Sequence, residues 1–504
     1  STTENNRNIT NKGVDMRSIS TDDIESVEVV RGIPSVEYGN LTSGMVNIKK
    51  IRRAIPWTAR FKADGYSKLF SIGKGMALGT SGKSILNVDL GYMDSKIDPT
   101  DNFENYKRVT GSIRYTYRKE QDKHRTLQWN SSFDYSGSFD NSKTDPDINY
   151  GRVDEYKSSY SRMAFSNSLN IRMPKSWFKE FDVNTSLSLQ LDRLRQTRLV
   201  APQRYGIVPL SWTDGENEAQ AVYAEYMANY LCDGKPFTAY VKAKGVMGFK
   251  ALGTDNKVKV GLNWDLAKNF GDGQVYDMHR PLSLTGWSSR PRKYSDIPAL
   301  QNLSFFVEEL MKWKWGQNKF ELMAGVRLNT MPGLDDKYEM SGRVYADPRG
   351  NLAWHFPKFN VGGKPMAISL NGGIGITTKM PTLNYLYPDK YYSNFICLAY
   401  YDTANPEQDS KFIVHTYVQD PTNYGLKPAK NKKWEVRLDM DWNDNRLSVD
   451  YFRESMTSGF RYSSTYGVYN YNYYDVSQMS AGKDYATLPY EARQVLDGYQ
   501  QASN

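Results

Sequence analysis

Val109-Thr-Gly-Ser-Ile-Arg-Tyr-Thr-Tyr-Arg118 alternates without interruption: Val109, Gly111, Ile113, Tyr115 and Tyr117 fall on one face, Thr110, Ser112, Arg114, Thr116 and Arg118 on the other. Period-two alternation of this kind is a β-strand with one apolar and one wet face. The pattern repeats from about residue 84 onward. Leu127, Trp129, Phe133 and Tyr135 oppose Gln128, Asn130, Ser132 and Asp134; Phe320, Leu322, Ala324, Val326 and Leu328 oppose Glu321, Arg327 and Asn329; Trp434, Val436, Leu438, Met440 and Trp442 oppose Glu435, Arg437, Asp439 and Asp441. Soluble strands run about five or six residues, whereas a tilted membrane-spanning strand needs about nine to eleven. These segments are of the longer kind, and an aqueous lumen explains why one face keeps its charges. Aromatics near segment ends (Tyr115, Tyr117, Tyr135, Trp434, Trp442) fit an interfacial girdle.

Composition agrees. The 504 residues include 37 Tyr, 20 Phe and 11 Trp, yet only 39% are hydrophobic and the mean hydropathy is -0.66. No stretch approaches the roughly 18 apolar residues of a membrane helix. A secreted all-β protein has the same average, so composition alone does not separate the two. Cys232 and Cys397 lie far apart with no CxxC spacing, which excludes a disulfide scaffold or zinc ribbon; they read as one bridge or two buried thiols. The net charge of +9 is spread along the chain, with no basic block of the kind that binds nucleic acid.

The breaks between segments are uneven. Residues 314–319 and 443–446 read as tight hairpin turns, while 195–235, 268–300 and 388–430 are long and rich in Pro, Tyr, Asp and Gly. Short turns at one end and long loops at the other are the asymmetry of outer-membrane barrels. About fifteen or sixteen strands are expected. After Tyr462–Tyr474 the chain reads as a polar helical tail.

The first fifty residues differ. Asp22 to Ile48, DDIESVEVVRGIPSVEYGNLTSGMVNI, reads as strand, turn, strand, with Gly32 and Pro34 breaking the first strand and Gly39 and Gly44 permitting tight turns. This run resembles the end of the plug of TonB-dependent outer-membrane receptors, matching through Ile24, Glu25, Val27, Glu28, Val29, Arg31, Gly32, Pro34, Tyr38, Gly39, Gly44, Val46, Asn47, Ile48 and Lys49. The one departure is Ile33, which moves the proline along by one. Leu370 to Tyr387, LNGGIGITTKMPTLNYLY, is similar to a barrel landmark of the same family through Gly373, Gly375, Pro381, Leu386 and Tyr387. Gly425 to Glu435, GLKPAKNKKWE, matches a second more loosely through Pro428 and Glu435.

The resemblance implies an all-β fold: residues 1–50 as the C-terminal part of a plug, and 51–504 as a transmembrane antiparallel β-barrel. About twenty-two strands are usual in the family, so this barrel is expected to be incomplete at its C-terminus. It implies active uptake of a scarce nutrient (iron-siderophore, haem or cobalamin) across the outer membrane, without catalysis. The implied partners are outer-membrane lipid, a nutrient ligand and the TonB energy-transducing complex, met through a segment outside this chain. Nucleic acid is not among them. A glycan or peptide importer with a surface lipoprotein is an alternative, as is a receptor or structural barrel that transports nothing.

Arg31 is the residue the resemblance singles out, paired with a wall carboxylate for which Glu435 is the candidate. His124, His279, His355 and His415 are scattered without ligand spacing, so no metal is expected. Asp145 to Gly151, DPDINYG, resembles the start of a calcium loop, but the glycine is a position late and no terminal Glu follows; an ordinary acidic loop is expected. Loop aromatics such as Tyr391, Tyr392, Tyr400 and Tyr401 are candidates for stacking on a ligand, and equally for packing within the loops.

Overall fold

The computed structural model describes residues 21, 23–30, 32–41, 44–96, 98–121, 125–147, 149–285 and 288–504. Two strands, β1 (Ile24–Val30) and β2 (Met45–Lys50), form a separate antiparallel hairpin. The wall follows: β3 (Ile55–Ala63), β4 (Ser67–Leu78), β5 (Ser84–Ser95), β6 (Glu104–Gln121), β7 (Arg125–Ser142), β8 (Asp154–Arg172) and β9 (Phe178–Val200). Three short strands, β10 (Gly206–Val208), β11 (Gly215–Glu218) and β12 (Gln220–Val222), lie in the next loop. The wall resumes with β13 (Tyr226–Gly234), β14 (Pro236–Ala251), β15 (Thr254–Asn269), a short β16 (Gly273–Tyr276), β17 (Leu300–Trp315), β18 (Asn318–Thr330), β19 (Tyr345–His355), a short β20 (Phe359–Val361) and β21 (Lys364–Lys379). Then come the loop strands β22 (Tyr391–Tyr400) and β23 (Lys411–Gln419), the wall strands β24 (Ala429–Trp442) and β25 (Asn445–Met456), and a final hairpin, β26 (Arg461–Tyr474) with β27 (Tyr490–Ser503).

The wall is one antiparallel sheet curved into a barrel, in whose strand order β25 stands next to β3. Among the described residues no hydrogen-bond register joins those two strands, and both are exposed along nearly their whole length. Burial in the sheet is inside-out. Ile113 is 50% exposed while its neighbour Arg114 is 0% exposed; Leu328 is 37% exposed while Arg327 is 2%. A water-soluble sheet does the reverse, so the apolar face meets lipid and the polar face an enclosed lumen. Trp313, Phe320, Trp354 and Phe356 stack in sequence, with centroids 5.2, 5.7 and 4.2 Å apart, at the short-turn end.

Connections alternate in length. Leu252-Gly253 and Asn443-Asp444 turn tightly with positive φ at both positions, the mirror-image geometry that suits the twist of paired strands. At the other end lie the stretches after β9, β15, β18 and β21. Here the structure corrects two expectations. The break placed at 195–235 starts later, because β9 stays paired with β8 as far as Arg198 and with β13 as far as Val200. The helical tail is a strand: β27 pairs with β26 from Ser503 opposite Arg461 to Tyr490 opposite Tyr474. The tyrosines of β26 supply the partner face that made the tail's polar alternation a strand rather than a helix.

The largest apolar cluster lies where the long loops meet Leu194, Cys232 and Leu300 of the wall. It contains Tyr294, Ile297, Leu334, Tyr338, Met340, Leu383, Leu386 and Leu426. Smaller clusters join β11, β22 and β23 to one another and to the final hairpin.

Candidate functional site

The segment from Gly32 to Leu41 crosses the inside of the wall, and polar side chains from six wall strands converge on it. A left-handed Gly32 (φ 85°) and Asn40 (φ 58°) bracket the crossing. Arg349 donates to three of its carbonyls, those of Pro34, Ser35 and Tyr38, at 3.4, 2.9 and 2.7 Å. Arg327 donates to the carbonyls of Val36 and Glu37, and Asn351 to that of Ile33. From the segment, the Val36 amide donates to Glu308 at 2.8 Å. Asn40 Oδ1 accepts from the Met380 amide at 3.0 Å. An irregular stretch has no ladder of its own, so these wall side chains satisfy backbone groups that water cannot reach.

Glu37 is the electrostatic centre. Its carboxylate meets Lys242, Lys244 and Lys259, the last two at 3.1 Å. Lys259 also reaches Glu308 at 2.9 Å. Glu37, Lys242 and Glu308 are all buried. Such a network fixes geometry more than it adds net stability, yet losing one partner is costly because a charge is stranded.

A second anchor holds the hairpin to the opposite wall. Asp23 pairs with Arg114 at 2.9 Å and Lys50 at 2.8 Å; Lys50 reaches Asp134, and Arg114 reaches Asp89. The segment is thereby tied across the lumen from β5–β7 to β14–β24. A cavity of about 350 Å³, lined by Gly32, Ile33, Asn351, Glu435 and Asp450, opens on its short-turn side. Another of about 320 Å³, lined by Glu37, Tyr38, Asn302, Asn329 and Met380, opens on its long-loop side.

The residues singled out in the sequence divide unevenly. Arg31 lies outside the described residues. Glu435 accepts from the Ile33 amide at 3.4 Å, and a Cβ on Gly32 would meet its Oε1 at 2.6 Å. Tyr38 carries Lys242 over its ring at 5.0 Å. Gly39 lies against the Arg327 guanidinium, and Gly44 against the Val30 carbonyl. Pro34 contributes its carbonyl. Glu28 is exposed and accepts from Asn47 at 3.3 Å within the hairpin. Gly373 and Gly375 make room for Ile33, whose methyls lie 2.9 Å from where their Cβ atoms would be. Ile33, the departure within the plug motif, therefore fills the space these two glycines leave. Pro381 and Leu386 are buried under the loops. The Tyr387 carbonyl accepts from Arg292, and that of Pro428 from Ser458.

The aromatic candidates are occupied in packing. Tyr401 stacks on Tyr205 at 5.3 Å beneath Arg204; Tyr392 is buried against Trp212 and Arg290; Tyr400 donates to Asp402; Tyr391 faces Tyr499 at 6.2 Å. In the same layer, burial and a hydrogen bond to Glu216 push the Tyr474 phenol up to about 12. The cysteines are separate buried thiols. In the acidic loop, Asp145 caps the Asp147 amide.

Residues 57–483 match the family model described as TonB dependent receptor-like, beta-barrel. The chain belongs to this family. It is accordingly an outer-membrane β-barrel receptor rather than an enzyme. No curated protein matches it. Among solved structures, the siderophore receptor PirA from Acinetobacter baumannii superposes on this TonB-dependent receptor barrel with a TM-score of 0.56 and 14% identity. That match covers 97% of this chain and 64% of the other. A mutant of the ferric enterobactin receptor PfeA from Pseudomonas aeruginosa gives 0.53 and 15%, covering 96% and 65%. The chain thus spans just under two thirds of each of these structures, and at such identities the likeness is one of fold.

Sequence reading missed Glu37, Lys242, Lys244, Lys259, Arg327 and Arg349. Glu37 stood inside the quoted motif. The wall residues carried a visible signal, a charge on the wet face of each strand, but strand pairing alone decides which of them meet.

Proposed function

We propose that this receptor imports a scarce nutrient of the iron-siderophore, haem or cobalamin type across the outer membrane, driven by the TonB complex, and that residues 1–50 are the closing part of its plug. The observation that carries this reading is the seat of the N-terminal segment. It separates a cavity on the loop side from one on the turn side and is held by ion pairs and carbonyl hydrogen bonds rather than by a ladder. Such contacts join the segment to side chains of the wall and not to its ladder, so a pulled plug leaves without breaking the wall's own strand pairing. The siderophore receptors it superposes on support the cargo class.

Arg31 belongs to this reading as the partner of Glu435, whose carboxylate already lies beside Gly32, one residue on. Arg31→Ala in the full-length protein is expected to raise the leak of small solutes from proteoliposomes, and unchanged leak removes the pairing. The import reading is tested separately by deleting the gene in its own cells. Growth on one of the three chelates should fail, return with the intact gene, and fail again without TonB. Undiminished uptake of all three overturns it.

A further inference from the structure

Outside the lumen, the sheet of β11, β23 and β22 brings together three side chains of a kind that bind metal. Glu216 on β11 stands directly opposite His415 on β23, and His415 stands opposite Phe395 on β22. Between Ile396 and Leu398 the register of β22 shifts, so Cys397 is the extra residue of a bulge. A bulge re-aims the side chain it carries, and here it delivers the thiol to the other two. One donor atom from each of Glu216, Cys397 and His415 lies within 4.8 Å of the others.

We propose that Glu216, Cys397 and His415 form a binding site for a borderline divalent cation of the zinc(II) class, which cross-links the three strands of the loop sheet. A thiolate, an imidazole and a carboxylate are the donor set that such an ion accepts, with water at a fourth position. Tetrahedral bonds of about 2.0–2.3 Å require donors roughly 3.5 Å apart, so an adjustment of about 1 Å closes the set.

Two further features point to a ligand. His415 Nδ1 is buried with no hydrogen-bond partner, a state that costs free energy unless something binds there. The outer contacts of the other groups are already arranged as a metal ligand's would be. Tyr474 and Asn472 donate to Glu216 at 2.8 and 3.2 Å, and Tyr417 stacks on the His415 ring at 4.4 Å. Contacts of this kind orient ligands, and because Asn472 and Tyr474 belong to β26, the ion also ties the final hairpin to the loop sheet. On binding, the Cys397 sulfur–hydrogen bond breaks, the sulfur–metal bond forms and the proton goes to solvent, so metal uptake releases one proton from the thiol. Thiolate and carboxylate together neutralise the ion.

The test is cobalt(II) titration of the purified, chelator-stripped chain in detergent, with zinc(II) as competitor. One cobalt per chain, a thiolate-to-metal charge-transfer band, its displacement by zinc and its loss in Cys397→Ser are expected. His415→Ala and Glu216→Gln should weaken cobalt binding at least tenfold, and Cys232→Ser should change nothing. A band that survives Cys397→Ser, or that Cys232→Ser removes, overturns the proposal. X-ray absorption on the unmodified, zinc-loaded chain needs no variant to fold. One sulfur beside nitrogen and oxygen supports the site, and a shell without sulfur overturns it.

Discussion

The N-terminal segment crosses the inside of the barrel and the loop cap packs at its long-loop end, and the two are held by opposite chemistry. The segment brings little apolar surface, chiefly Ile33 and Val36, and is fixed by Glu37 among three lysines and by arginines on its carbonyls. The cap buries Tyr294, Met340, Leu383, Leu386 and Leu426 in a continuous cluster and stacks its aromatics on one another. Apolar burial contributes in proportion to area and does not depend on a single partner. A charge network is all or nothing: complete, it fixes geometry; incomplete, it strands an ion. Under the proposed import function, the difference suits a segment that is pulled out and a cap that stays.

The largest expected effect tests the charged side. Glu37→Ala leaves Lys242, Lys244 and Lys259 facing one another, with Glu308 beside Lys259 and the charge of Asp182 acting on Lys242. The loss should be about 3–5 kcal/mol of docking, the range for breaking a buried pair. Hydrogen exchange should speed up at residues 33–41 and stay unchanged in the cap. Equal acceleration in both regions would break the comparison, since the two would then be one cooperative unit.

Leu386→Ala probes the other side. Leu386 is wholly buried, and its truncation is expected to cost about 2–4 kcal/mol through lost burial and the cavity left behind. Protease should then cut within residues 380–428 while the segment keeps its protection. Intact loops under protease would show that the cluster closes over the gap.

What was legible follows from the same chemistry. Alternation in segments such as Phe320–Asn329 revealed the wall because lipid and water impose a two-residue period on every spanning strand. The strands β3 and β4 were less visible, since Gly73 and Gly75 interrupt the pattern where the wall packs close to Arg53, Asn87 and Asp89. The quoted motif includes Gly32 to Leu41, the segment that crosses the inside of the wall. It did not reveal the Glu37 network, whose partners come from strands some two hundred residues away and meet only through register. The loop sheet was hidden for the same reason: Glu216, Cys397 and His415 have no common spacing, and a bulge at Cys397 cannot be read from β22 alone. The tail after Tyr474 was misread because its partner strand had already been counted as the end of the pattern.

The smallest effect belongs to neither region and so serves as their control. Leu252 takes a left-handed conformation (φ 50°) in the turn before Gly253, which disfavours a side chain of its size by about 1–2 kcal/mol. Its side chain is fully exposed, so replacing it forfeits no burial. Asparagine tolerates this backbone, and Asn-Gly is the preferred pair for such a turn. Leu252→Asn should therefore raise the unfolding midpoint of the barrel in detergent by an amount corresponding to about 1 kcal/mol. It should leave exchange at residues 33–41 and cleavage in the loops as they were. A gain in barrel stability that also slowed exchange in the segment would mean the wall transmits its rigidity inward, and the two chemistries would no longer be separable.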